Sequence, residues 1–242
     1  DPQTAKIYED LIRAIEYNST ADVAYDTAYE HAITGGFGYF RVITEYADDN
    51  GFEQEIRIKR IKNQFSVYFG DAEEFDNSDA PNCFITETMS RSEFEKKYPD
   101  HNPVDFEYAG QGETYTKWFE KDKVRIAEYY YKEPVEETIV QTSNGEIFKL
   151  NSKVTKKLLQ DNGYEIVKER TIDSHRIMWC KITGADFLEK PRELVGKYIP
   201  VVEVKGDEIN VEGKTILRSF IRDAKDPQRF YNYWITNMAE TI

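Results

Sequence analysis

The side chains able to do chemistry are few and scattered. Histidine occurs at His31, His101 and His175, and cysteine at Cys83 and Cys180. A metal site needs converging ligands, which in a sequence show as His or Cys pairs a few residues apart. None of these five has such a neighbour, so each histidine reads as structural. Both cysteines fall inside apolar alternations, where a thiol is buried and inert. Two cysteines also make no disulfide framework, and a reducing compartment is the simpler expectation. Gly35-Gly36-Phe37-Gly38 could cradle phosphate, but the order is wrong. Phosphate loops run strand, glycines, helix, so that the helix N-terminus meets the anion. Here the glycines follow a helical pattern and precede a strand pattern, which makes them a helix C-cap. The acidic run Asp71, Glu73, Glu74, Asp76 and Asp79 is the one place where carboxylates could converge on a divalent cation. It lacks the ligand order and terminal glutamate of an EF-hand loop. A solvated loop is the plainer reading, and a metal-dependent hydrolase or nucleotidyl-transfer domain built on residues 71–79 is the alternative.

One basic cluster interrupts the general acidity: Arg218, Arg222, Lys225 and Arg229, interleaved with Phe220, Ile221 and Phe230. Cations beside aromatics match the composition of binding surfaces. Salt bridges to Asp223 and Asp226 are the bland reading. Just beyond, Asp226 stands where a helix N-cap belongs and Pro227 where the first helical residue belongs. Phe230, Trp234 and Met238 then recur every fourth residue, with Tyr231 and Tyr233 beside them, an amphipathic face of large aromatics. No Gly, Pro or cap follows, so the chain is expected to be a piece of a longer protein.

At 242 residues with 40% hydrophobic and 14% aromatic content, the chain can bury a real core and is globular. The formal net charge of −13 argues against tight, sequence-reading nucleic-acid binding, which needs a basic surface to release counterions. It does not argue against a surface that nucleic acid slides past. No apolar run reaches the roughly 18 residues that a membrane span needs, so no membrane partner is expected.

The elements that must position these residues follow from periodicity. Asp1-Pro2 opens a helix with Ile7, Leu11, Ile12 and Ile15 as its buried stripe. Asn18-Ser19-Thr20 breaks it. A second helix from about Asp22 packs Val23, Ala24, Thr27, Ala28 and Ala32 inward and ends at Gly35-Gly36. A period of two then predicts a meander: residues 37–46, a turn at Asp48-Asp49-Asn50-Gly51, a return strand with Ile56 and Ile58, and a short strand near Phe65–Tyr68. Asn82–Thr88 is a strand, and Ser90 with Glu93 forms a capping box for a helix that buries Phe94 and Tyr98 and stops at Pro99. Residues 100–117 read as a long loop. Strands are expected over Val124–Lys132, Glu136–Gln141 and Glu146–Leu150. A helix with Val154 and Leu158 buried spans Ser152–Gln160. Strands Tyr164–Ile172 and Arg176–Thr183 meet at a turn at Asp173-Ser174. Tyr198–Val204 and a turn at Gly206-Asp207 lead to the final segment. The class is α+β, mainly antiparallel sheet with flanking helices.

Several stretches together resemble the portal proteins of tailed bacteriophages, the short-tailed type in particular. They are HAITGGFGYFRVITEY (31–46), SDAPNCFITETMSRSEFEKKYPD (78–100), WFEKDKVRIAEYYYKE (118–133) and RSFIRDAKDPQRFYNYWITNMAET (218–241). The last is the most specific: in that family DPQR, an aromatic pair and an Asn lead into the long stem helices. Here those positions are Asp226, Pro227, Gln228, Arg229, Tyr231 and Asn232. Ser219, where the family usually has Gly, and Thr236–Ala239 depart from the pattern.

The resemblance implies a structural subunit, not an enzyme, in a ring of typically twelve copies at one capsid vertex. Double-stranded DNA is pumped through such a ring during packaging and leaves through it on ejection, without sequence-specific binding. Implied partners are further copies of itself, the terminase large subunit, a tail adaptor protein, and capsid and scaffold proteins. The implied location is the virion, assembled in the host cytoplasm, and no cofactor is implied. Residues 1–215 would form a wing-like α+β domain, and 216–242 the junction and start of a truncated stem helix. Arg218, Arg222, Lys225, Asp226, Gln228, Arg229, Phe230, Asn232 and Trp234 become candidates for the subunit interface or the rim of the DNA channel.

Overall fold

The computed structural model describes every residue except 49, 102–118, 121–122, 151–153 and 242. The elements of the first half are α1 (Pro2–Ser19), α2 (Ala21–Gly35), β1 (Phe37–Tyr46), β2 (Gln54–Arg60), a 3-10 turn (Gln64–Ser66), β3 (Val67–Phe69), β4 (Asn82–Ser90) and α3 (Arg91–Lys97). Then come β5 (Phe119–Glu120), β6 (Lys123–Thr142), β7 (Ile147–Lys149), α4 (Lys156–Asp161), β8 (Ile166–Ile182) and β9 (Phe187–Leu194). The chain closes with β10 (Val201–Lys205), β11 (Asp207–Val211), β12 (Lys214–Arg218) and α5 (Ile221–Thr241). The pairings below are all antiparallel, and the α+β class stands as expected. The chain forms two compact units, one of residues 1–80 with 200–242, the other of 81–199.

In the first unit, Asp1 caps α1 by accepting from the Gln3 amide, and Pro2 takes the first helical turn. Thr20 and Gly36 end the two helices in the left-handed conformation, as the break and the glycines foretold. The buried face of α2 is Ala21, Ala24, Ala28 and Ala32. Of the others expected on that face, Val23 is exposed and Thr27 only half-buried. Small residues let β1 lie directly on the helix. Ile58 from β2 joins Ala21 and Ala24, with Ile15, Tyr25, Phe40 and Val42 packed around them. The expected meander stops at two strands. β1 pairs with β2 on one side, Val42 opposite Ile58, and with β10 on the other, Phe40 opposite Val202. A strand from far along the chain takes the third place, which local periodicity does not encode. The α1 stripe is also corrected: Ile7, Leu11 and Ile12 are half or more exposed, and Ile15 alone of that stripe reaches the core.

The second unit is a sheet ordered β4-β6-β8-β9, with β5 and β7 also paired to β6. Two expected breaks are absent. The strand pair 124–132 and 136–141 is one 20-residue strand, β6. The pair 164–172 and 176–183 is one 17-residue strand, β8, which places His175 in mid-strand opposite Pro134 instead of at a turn. A proline within a sheet is tolerated where its missing N–H faces no neighbour. Lys132 donates its N–H to Pro81, and Thr138 accepts from Leu150, so even-numbered groups of β6 point away from β8. Pro134 falls between the end of the β4 pairing at Tyr131 and the start of the β7 pairing at Ile139. Its missing donor therefore breaks no ladder bond, and β6 runs through.

The capping box is present as expected. Ser90 Oγ accepts from the Glu93 amide at 3.3 Å, and Glu93 Oε2 accepts from the Ser90 amide at 3.2 Å. It holds Phe94 against Tyr98, Val124, Ile126 and Leu188. Ser90→Ala is expected to lower the stability of this unit by about 1 kcal/mol, read from a denaturant midpoint. α4 begins later than expected, capped by Thr155, and it buries Leu159 while Leu158 is exposed. β9 and the β11–β12 hairpin went unread in the sequence. The hairpin turns at Glu212 (φ 54°) and Gly213 (φ 79°), and Gly206 joins β10 to β11. The expected loop over 100–117 lies almost wholly outside the described residues.

Three carboxyls of the second unit are held below the usual carboxylate range by hydrogen bonds: Glu137 from Lys149, Glu93 from Ser90, and Asp186 from His101. A depressed native pKa contributes stability above the unfolded value near pH ~4, and that contribution is lost as pH falls through the native values. Thermal melts should therefore be flat from pH 7 to 5 and drop below pH ~4. Glu137→Gln should lessen the drop. An unchanged acid limb in that variant would count against the assignment.

Candidate assembly interface

The last segment is held at its root by the end of α2. A helix leaves its final carbonyls without intrahelical donors. Here Phe220 donates its N–H to Ile33 at 3.1 Å, and Gly206 donates to Gly36 at 2.7 Å. The backbone of Leu217 and Arg218 passes so close to Gly36 that a Cβ there would lie 3.1–3.2 Å from their carbonyl carbons. At the start of α5, Ser219 Oγ accepts from the Arg222 amide at 3.1 Å. The helix begins at Ile221, so Asp226 is not its cap and Pro227 lies inside it. The missing N–H of Pro227 forfeits one bond to Asp223, while the ties at Ser219 and Phe220 have already started the helix a turn and a half earlier.

From that root α5 runs 21 residues without burying one of them. At 1.5 Å per residue that is about 31 Å. Phe230, Trp234 and Met238 share a face and are 67%, 60% and 58% exposed. Tyr233, Trp234, Asn237, Met238 and Thr241 line a shallow depression. Eight of the nine candidate residues lie on this helix, and Arg218 ends β12. Arg218 pairs with Asp223, Arg229 Nη1 lies 3.5 Å from Asp226 Oδ1, and Gln228 Nε2 donates to Asn232 Oδ1 at 3.0 Å. The bland salt-bridge reading thus holds for two of the four cations. Arg222 and Lys225 have no acid within ion-pair distance among the described residues.

A second exposed apolar face lies on α1: Ile7, Leu11 and Ile12, read from the sequence as core, with Tyr8 beside them. Its spacing was legible; what covers it was not.

Of the histidines, His31 keeps a buried Nδ1 with no hydrogen-bond partner among the described residues, while the other two are tied to the fold. His101 Nδ1 lies 3.1 Å from Asp186 Oδ2, and His175 Nε2 is 2.8 Å from the Lys197 carbonyl. Cys83 and Cys180 are buried thiols, and burial pushes that of Cys180 up. In the acidic loop, Asp79 accepts from the amides of Glu73 and Glu74, and Asp76 accepts from that of Ser78. Asn77 anchors the loop by donating to Glu203 at 2.6 Å. These carboxylates cap a turn. Among the described residues, no group of three or more His, Cys, Asp or Glu could hold a metal ion. None of the described helices is long and apolar enough to cross a membrane. What the arrangement can do is bury apolar surface against another molecule, which for one large side chain contributes roughly 1.5–3 kcal/mol.

Comparison with known proteins points the same way. The family model described as Phage P22-like portal protein matches residues 1–242. The chain is 28% identical to the portal protein of Acyrthosiphon pisum secondary endosymbiont phage 1, in an alignment covering 96% of this chain and 34% of that relative. It therefore spans about a third of the length of that relative.

Proposed function

The chain belongs to the P22-like phage portal protein family, and from that premise we propose that it is a structural subunit of a closed ring through which double-stranded DNA enters and leaves a capsid at one vertex. Twelve copies is the expected number. The observation that carries the reading is α5, a 21-residue helix that presents large aromatics and has no buried residue among those described. A helix of that kind needs neighbours, and in a ring the neighbours are copies of itself. On this reading α5 opens the stem, with residues 216–242 as the junction and 1–215 as the wing. Arg218, Arg222, Lys225, Asp226, Gln228, Arg229, Phe230, Asn232 and Trp234 then lie at subunit contacts or the channel rim. The net charge of −13 suits a conduit, since an acidic surface offers phosphates no counterion-releasing grip.

The docking partners are the terminase large subunit, a tail adaptor, and capsid and scaffold proteins. The ring is a virion component assembled in the host cytoplasm. The metal-enzyme alternative loses its footing because Asp76 and Asp79 are committed to backbone amides. Negative-stain electron microscopy of the whole gene product tests the reading. Rings with a central opening are expected, and a species that stays monomeric at every concentration overturns it.

A further inference from the structure

A ring built by head-to-tail contact needs two different patches on each subunit, because the surface offered to one neighbour is not the surface offered to the other. The first unit carries two such unpartnered faces, one on α1 and one on α5. We propose that the apolar face of α1 in one copy receives the aromatic face of α5 from the next copy. This rests on the ring reading above and names the contact that closes the ring.

The α1 stripe is one continuous face. Its C-terminal end, at Ile15, packs against the core around Ala21, Ala24 and Ile58. Toward the N-terminus, Ile7, Tyr8, Leu11 and Ile12 prolong the same face beyond that core, all more than half exposed. A neighbour's helix laid along it would extend the core across the subunit boundary. The α5 stripe of Phe230, Trp234 and Met238 has the matching helical spacing and larger side chains, the combination that ridge-into-groove packing uses.

Charge selects α5 over a second α1 as the occupant. The α1 segment carries Asp1, Glu9, Asp10 and Glu16 against Lys6 and Arg13, an excess of acid. Residues 218–229 carry Arg218, Arg222, Lys225 and Arg229 against Asp223 and Asp226, an excess of base. Internal pairing leaves the complementary groups over. Glu9 is taken by Arg13 and Glu16 by the Tyr25 hydroxyl, while Asp10 has no partner among the described residues. Arg218 and Arg229 are taken by Asp223 and Asp226, while Arg222 and Lys225 remain. An α1–α1 contact would set acid against acid, and complementary potentials are what fix partner and register at an interface.

Cysteine cross-linking between two forms of the whole gene product, each carrying one added cysteine, tests this. Leu11→Cys and Phe230→Cys are both at solvent-facing positions, the native Cys83 and Cys180 are buried, and the unsubstituted protein oxidised in parallel sets the background. The two variants are mixed before assembly and oxidised, and rings are checked by microscopy in the same samples. A mixed dimer that neither variant gives alone, lost on reduction, is expected. Rings without that dimer overturn the contact and leave the ring reading standing, whereas absence of rings in the unsubstituted protein overturns the ring reading itself. If the doubly substituted chain cross-links only within itself, the α1 face is covered by its own chain and the proposal fails. A charge test stands beside it: Asp10→Lys should lose rings, and adding Arg222→Glu with Lys225→Glu should regain them. Failure to regain them in variants that melt normally counts against the pairing.

Discussion

Trp234→Ala is expected to abolish ring assembly of the whole gene product while leaving the thermal stability of these units almost unchanged. The indole is 60% exposed on a helix with no buried residue, and among the described residues it makes no hydrogen bond. Truncating such a side chain shifts folding stability by no more than ~0.5 kcal/mol. At an interface the same truncation is a different event: tryptophan is among the residues whose loss costs ~2 kcal/mol or more. A closed ring repeats that loss at every boundary, so assembly falls far more steeply than one contact would suggest. Calorimetry should give superimposable melts for the two proteins. Mass photometry should give rings for one and small species for the other. A large drop in melting temperature with rings intact would show that Trp234 serves its own fold and would remove the main support for α5 as an assembly surface.

Gly38→Ala is expected to destabilise the first unit by on the order of 3 kcal/mol, at the upper end of overpacking costs. A Cβ at position 38 would collide with the Ala28 carbonyl oxygen and lie 2.8 Å from its carbonyl carbon. Those atoms belong to the backbone of α2 and cannot swing aside, so α2 and β1 must separate. Gly163→Ala is the contrasting case: nothing lies within 4 Å of the added methyl, and only the positive φ of 83° resists it. Its cost should be about 1 kcal/mol. Urea denaturation of the two variants side by side distinguishes a packing collision from backbone strain, and equal losses would refute the collision. Because α2 also roots α5 through Ile33 and Gly36, Gly38→Ala should loosen the stem junction as well.

Much of the local architecture was legible without coordinates because local chemistry encodes it. Asp1-Pro2 is a helix start wherever it lies, Ser90 and Glu93 satisfy each other within one turn, and Gly36 ends a helix because a left-handed residue is needed there. The antiparallel α+β class follows from the switch of period after Gly38. So does the rejection of Gly35–Gly38 as a phosphate loop, since element order alone decides which helix end faces the glycines. The motif around Asp226–Asn232 and the aromatic spacing beyond it picked out the candidate segment by local pattern alone.

The misreadings share a cause: each depended on a neighbour distant in the chain. The strand expected to end at Lys132 runs on through Pro134, which falls between the β4 and β7 pairings of β6. Asp173-Ser174 looked like a turn, but β8 pairs straight through it, Asp173 opposite Glu136 and Ser174 opposite Val135. Asp226-Pro227 looked like a helix start, while hydrogen bonds from the Arg222 amide to Ser219 Oγ and from the Phe220 amide to the Ile33 carbonyl start α5 earlier. The α1 stripe shows the limit most clearly. By itself the sequence determined that Ile7, Leu11, Ile12 and Ile15 share one face, because helical geometry sets side-chain direction. Only the tertiary structure decided that Ile15 meets the core and the other three meet solvent, because burial depends on what the rest of the chain brings to that face.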